Sequence, residues 1–179
     1  MAEPIATRGW GGGGLYLALA AGVIFVRLLP LDSSPGELPA PDLLLAVTAA
    51  WVLRRPAHVP VGLIALVFLV CDMLFLRAPG LWTLIVVLAT EFLRAREGLA
   101  RELTFPLEWA LVAGVLIVAT LAESVILALF LVPSASIGVA LLHTLVTLLA
   151  YPAVVVVLRF GLGLRRAAPG ETDVLGKRL

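Results

Sequence analysis

Residues 41–80 read PDLLLAVTAAWVLRRPAHVPVGLIALVFLVCDMLFLRAPG. The order is a short apolar segment (43–53), a basic elbow punctuated by proline (Arg54, Arg55, Pro56, His58, Pro60), a second apolar segment (61–76), and a tight turn ending in Pro79 and Gly80. Inside the second segment stands Asp72, among Val, Leu, Ile, Phe and Met. A carboxylate is costly in hydrocarbon, so this residue is expected to face protein, water or a partner rather than lipid.

The rest of the chain has the same character. Hydrophobic residues make up 61% of 179 positions and the mean hydropathy is +1.10, against about 45–50% apolar residues in soluble domains. The composition predicts an all-α polytopic membrane protein with one helical bundle and no room for a separate soluble catalytic or nucleotide-binding domain. A net charge of +1 gives no pointer to nucleic acid, because in a membrane protein the placement of Lys and Arg carries the information. Cys71 is the single cysteine, and its apolar surroundings predict a packed thiol. The first apolar run follows Arg8 like a signal peptide but is succeeded by Pro30, Asp32, Ser33, Ser34 and Pro35, with no small-x-small cleavage site, so it is expected to remain as a helix.

Hydropathy and breakers divide the chain into a glycine-rich flexible tail (1–14), six transmembrane helices at about 15–31, 42–53, 61–76, 81–94, 106–132 and 137–160, and a polar tail (161–179). The second helix, at about 18 Å, is well short of the roughly 30 Å hydrocarbon core, so it must be extended, thinned around, or buried among its neighbours. In the first helix Gly14, Ala18 and Gly22 place small residues on one face, open to close approach by another helix. The fourth is expected to continue as a charged segment through Arg94, Arg96, Glu97, Arg101 and Glu102. Pro152 predicts a kink in the sixth, near Ala150.

With the N-terminus cytoplasmic, Arg8, the Arg54–Arg55 elbow, the loop bearing Arg94, Arg96 and Arg101, and the basic C-terminal tail all lie inside, and the loop bearing Asp32 and Glu37 lies outside. That asymmetry predicts both termini in the cytoplasm. It also brings Arg27, Asp72, Glu123 and His143 into the outer half of the bilayer as a buried polar cluster, with Arg27 paired to Asp72 or Glu123. Arg27 has the alternative of snorkelling to the headgroups, and His143 that of bonding a carbonyl. Glu91 and Glu108 read as solvated carboxylates near the inner surface. No metalloprotease His pair and no nucleophile elbow is present, and an Asp72–Glu123 dyad lacks any protease motif, so no enzyme, cofactor or metal is expected.

Pro41, Trp51, Pro56, Gly62, Asp72 and Gly80, taken together at this spacing, resemble the MreD family, small integral membrane subunits of the bacterial rod-shape and cell-wall elongation machinery. The physical content fits: Pro41 starts a helix, Gly62 allows two backbones to approach, Asp72 is the intramembrane acid, and Gly80 closes a turn. The resemblance implies a non-enzymatic role beside an MreC-like bitopic protein, in an assembly with RodA, a class B penicillin-binding protein and MreB filaments. It also implies a bundle similar to the substrate-binding subunits of energy-coupling factor vitamin transporters. A scaffold would bind its partner through helix packing, by the small strip of the first helix or the face bearing Asp72, with Arg54, Arg55, Arg94, Arg96 and Arg101 facing cytoplasmic partners or anionic lipid. The alternative is a transport subunit, whose pocket would open at the outer polar cluster.

Overall fold

The computed structural model describes residues 7–29, 39–98 and 104–162. Among these residues are six α-helices and no strand: α1 Thr7–Leu28, α2 Leu43–Arg54, α3 Val61–Leu74, α4 Leu81–Ala95, α5 Phe105–Leu129 and α6 Ile137–Gly161, with a 3-10 turn, Pro56–His58, between α2 and α3. Two of them, α5 and α6, are long and apolar enough to cross a membrane; α1 from Gly12, α2 and α3 are apolar but shorter.

Local chemistry sets most boundaries. The Asp42 carboxylate accepts from the Leu45 N–H at 3.1 Å and so caps α2, while Ser136 caps α6 through the Val139 N–H. Pro106 lies in the first turn of α5, where its missing N–H costs nothing. Gly80 adopts φ +81°, a left-handed conformation open to glycine without strain, immediately before α4. The fourth helix ends at Ala95 with Arg96 as its C-cap, the chain is helical again at Glu97 and Gly98, and Arg101 and Glu102 of the charged run lie outside the described residues, as do 163–179 of the polar tail.

One boundary differs substantially from expectation. The first helix begins at Thr7, so residues 7–14 are its opening turns and not a flexible tail. The cause is tertiary: a Cβ on Gly12 would overlap the His58 ring, and one on Gly13 would lie 3.3 Å from the His58 carbonyl oxygen. Glycine lets the start of α1 lie directly on the elbow, a long-range contact that composition does not reveal.

Successive helices alternate in direction. The C-terminus of α1 meets the N-terminus of α2 through Arg27 and Asp42, and the end of α2 meets the starts of α1 and α5 through the elbow and Glu108. The bundle therefore has an elbow end, marked by Arg54 and His58, and an acidic end, marked by Asp42 and Asp72. At its centre is α2, packed against α1, α4, α6 and the elbow, with residues 44–54 all buried. Burial among neighbours is thus how the chain accommodates this short helix, and an apolar character on every side is what such a position requires. Trp51 is enclosed there, edge-to-face with Tyr16 at 5.7 Å between ring centroids. The longer helices bury a single stripe each: Glu108, Val112, Leu116, Ala119 and Thr120 on α5, and Thr144, Thr147, Leu148, Tyr151, Val155 and Leu158 on α6, both at helical spacing.

Candidate functional site

Ionisable groups collect at the two ends of the bundle, in different states. At the elbow end, Arg54 is not part of the loop but the last residue of α2, and its guanidinium donates to Glu108 Oε1 at 3.0 Å and to the Ala50 carbonyl at 2.9 Å. The Tyr151 hydroxyl donates to the same carboxylate oxygen at 2.7 Å. Arg54 is 5% exposed and both Glu108 and Tyr151 are 0% exposed. Two expectations are corrected here: Glu108 is not a solvated interfacial carboxylate, and Arg54 does not face solvent or lipid. The reason is register, since Glu108 opens the buried stripe of α5 and α2 has no exposed side on which Arg54 could emerge.

The elbow itself is clamped from two sides. Arg94 donates to the carbonyls of Pro56 at 2.8 Å and Val59 at 2.7 Å, and pairs with Glu91 at 2.7 Å. It therefore holds the chain reversal instead of presenting its charge outward. The glycine turn of α1 covers the opposite side at His58. Burial, reinforced by the Arg55 charge, pushes the His58 imidazole below its ordinary value of 6.5. Arg55 is half-buried, while Arg96 is exposed and stacks its guanidinium over Phe92 at 4.4 Å.

At the acidic end Asp72 is fully buried, and its Oδ2 accepts from the Gly80 N–H at 3.0 Å, the Thr83 N–H at 3.1 Å and the Thr83 hydroxyl at 2.8 Å. A side chain late in α3 thus supplies the N-terminal cap of α4, where free N–H groups and the helix dipole favour negative charge. This joins two residues of the central motif, Asp72 and Gly80, by one hydrogen bond. Asp72 Oδ1 is buried with no hydrogen-bond partner among the described residues.

Arg27 pairs with neither Asp72 nor Glu123. Its guanidinium donates to the Pro41 carbonyl at 2.7 Å and lies 3.6 Å from the Asp42 carboxylate, because α1 ends over the start of α2. Asp42 in turn takes the Thr147 hydroxyl of α6 as acceptor for its backbone N–H, at 2.8 Å. Of the four expected residues, Arg27 acts electrostatically on His143 and Asp72 on Glu123, while Asp42 and Arg77 act on both. Arg77 lies over the Trp82 ring at 5.6 Å. Glu123, half-buried on α5, has no hydrogen-bond or ion-pair partner among the described residues. Nearby, Thr120 and Thr144 tie α5 to α6 at 2.7 Å.

The recess at this end is lined by Arg27, Asp42, Cys71, Phe75, Arg77 and Trp82, with Val23, Ile24, Leu44 and Phe68, and holds about 10 Å³, roughly the space of one water. Cys71 is buried, as expected of a packed thiol. No group of three potential metal ligands occurs among the described residues.

The expected packing positions divide. Gly14, Ala18 and Gly22 lie on the exposed side of α1, and no atom would approach within 4 Å of a Cβ at Gly14 or Gly22. Gly62 is likewise exposed with open space around it, so it brings no two backbones of this chain together. The close approaches are made by Gly12 and Gly13 instead. A sequence signal for the buried pair exists in the spacing of Glu108, Val112 and Leu116, which sets the carboxylate on the apolar stripe.

No protein-family model, curated protein or solved structure matches this chain.

Proposed function

We propose that the chain is a non-enzymatic scaffold subunit of the MreD type, a six-span bundle in the bacterial inner membrane that binds an MreC-like bitopic partner by helix packing. The observation that carries the reading is the outward face of α1. Gly14, Ala18 and Gly22 form an exposed small-residue strip, with no described residue within 4 Å of a Cβ placed at either glycine, the kind of surface on which a second transmembrane helix packs closely. The charged groups of the bundle interior are spent on joining helices, as in Arg54–Glu108–Tyr151 and Asp72–Thr83. The elbow end, with Arg55, Arg94 and Arg96, is the cytoplasmic side in this reading. RodA, a class B penicillin-binding protein and MreB filaments are the further members of the assembly.

The experiment is mild-detergent purification of the tagged protein from native membranes, with mass spectrometry of what accompanies it. A bitopic coiled-coil protein with cell-wall synthases supports the scaffold. Cytoplasmic ATPases with a coupling membrane subunit support instead a substrate-binding transport component, the similarity to energy-coupling factor subunits then being functional. The ionisable groups gathered at the acidic end favour that second reading, but a recess of about 10 Å³ is far below the roughly 300 Å³ of small-molecule pockets.

A further inference from the structure

Resting on the membrane-scaffold reading, the acidic end lacks one positive charge. Every helix but α4 contributes an ionisable group there, Arg27 from α1, Asp42 at the start of α2, Asp72 from α3, Glu123 from α5 and His143 from α6, and the turn after α3 adds Arg77. Arg27 is engaged by Asp42 and the Pro41 carbonyl. Asp72 gives one oxygen to the start of α4 and keeps the other buried and unpartnered. Arg77 spends its face on Trp82, and Glu123 has no partner among the described residues. Leaving His143 aside, the group comprises three carboxyl side chains and two guanidinium groups.

The connecting segments on this side add no cation to Arg27 and Arg77. Residues 30–38 contain Asp32 and Glu37 but neither Lys nor Arg, and residues 131–136 carry no charge. An uncompensated carboxylate at membrane depth is costly, and such residues pair with a group from elsewhere in the protein or its partner. The recess beside them, about 10 Å³, leaves no space for a charged small molecule, whereas a side chain delivered on a neighbouring helix needs none. We propose that the acidic end receives a single Lys or Arg side chain from the transmembrane or juxtamembrane helix of a partner protein, with Glu123 as its principal acceptor. Electrostatic complementarity of this kind fixes register and partner choice more than it adds raw affinity, so it would set how deep the partner helix sits.

The test places the photo-crosslinker p-benzoylphenylalanine at Leu76, which is 93% exposed and adjoins Arg77, in the full-length protein in native membranes. The expected result is an adduct with one protein, mapped to a peptide containing Lys or Arg. Its yield should fall at least about fivefold in Glu123→Gln, the equivalent of roughly 1 kcal/mol, and persist in Glu123→Asp. Replacing the partner's basic residue by Leu, with this chain unaltered, should reduce the adduct equally, and that arm decides the matter if Glu123→Gln does not accumulate. Adducts with lipid alone, a cross-linked peptide without a basic residue, or a yield indifferent to the change on either side would overturn the proposal; the excess charge would then be carried by a proton. A Glu123-dependent adduct with a transporter subunit would keep the acceptor site and remove the scaffold. A co-purifying bitopic protein with no such dependence would do the reverse.

Discussion

The two ends of the bundle treat buried charge differently. At the elbow end Arg54, Glu108 and Tyr151 satisfy one another inside the protein, and Arg94 binds the only chain reversal it faces. At the acidic end Asp72 is half satisfied, Arg27 is held by a carbonyl and a longer ion pair, and Glu123 has no partner among the described residues. Buried ion pairs are poor sources of net stability but strongly specify which elements meet. One end therefore fixes the arrangement of α2, α5 and α6, and the other keeps unspent electrostatic capacity, the condition for engaging something outside the chain.

The contrast can be broken most directly at Glu108. Replacing Glu108 with Ala leaves the Arg54 charge buried and unpaired, and the expected loss is about 3–5 kcal/mol, read as a lower thermal midpoint in detergent. The double change Arg54→Met with Glu108→Leu should recover most of it, and failure to recover would show that the pair does more than compensate itself. At the other end, Asp72→Ala removes the cap of α4 and leaves buried N–H groups without an acceptor, an expected cost of about 2 kcal/mol, measured in the same way. Glu123→Gln should cost less than either, because no internal partner is lost; an equal loss would erase the distinction between the two ends.

Gly12→Ala probes the clamp on the elbow. Its new Cβ would overlap the His58 ring, for an expected cost of about 1–3 kcal/mol, with faster amide hydrogen exchange in the first turns of α1 and relief by His58→Ala. His58 also supplies a pH dependence. Its folded-state value lies below its ordinary one, so the folded protein disfavours the protonated form. Stability should be complete above about pH 6.5 and decline as pH falls through the lowered value, in a small step that His58→Ala abolishes. The smallest effect on the fold is expected from Ala18→Leu with Gly22→Leu, within about 0.5 kcal/mol, whereas co-purification of the partner should drop. A loss of stability instead would mean that the strip is not free.

Much of this architecture was legible before any coordinates. The apolar runs are bounded by Pro, Gly and Arg, so five of the six helices fall close to their expected limits, and Gly80 announces a left-handed turn. An interior place for Asp72 follows from the cost of a lone carboxylate among aliphatic side chains. What stayed hidden depends on contacts between distant positions. Read locally, Arg54 looks like an elbow charge and Glu108 like a solvated carboxylate near a helix start, because nothing near either names the other. The glycines at 12 and 13 look flexible for the same reason: a lack of side chain signals freedom in sequence and close docking in the fold. The partner of Arg27, Asp42, lies across the intervening loop at the start of α2, and nothing local to either residue points to the other.

The enclosure of α2 bears on how the protein is made. This helix is second in order of synthesis, yet the surfaces that surround it include α4 and α6, the latter completed only at Gly161. At 12 residues it is too short to be held securely by lipid alone, since a stable span takes about 20. Until the last helix enters, the centre of the bundle has no wall on one side. In the membrane-scaffold reading, a ribosome stalled or a chain cut before α6 would leave a fragment with its central helix uncovered on that side, a target for quality-control proteases.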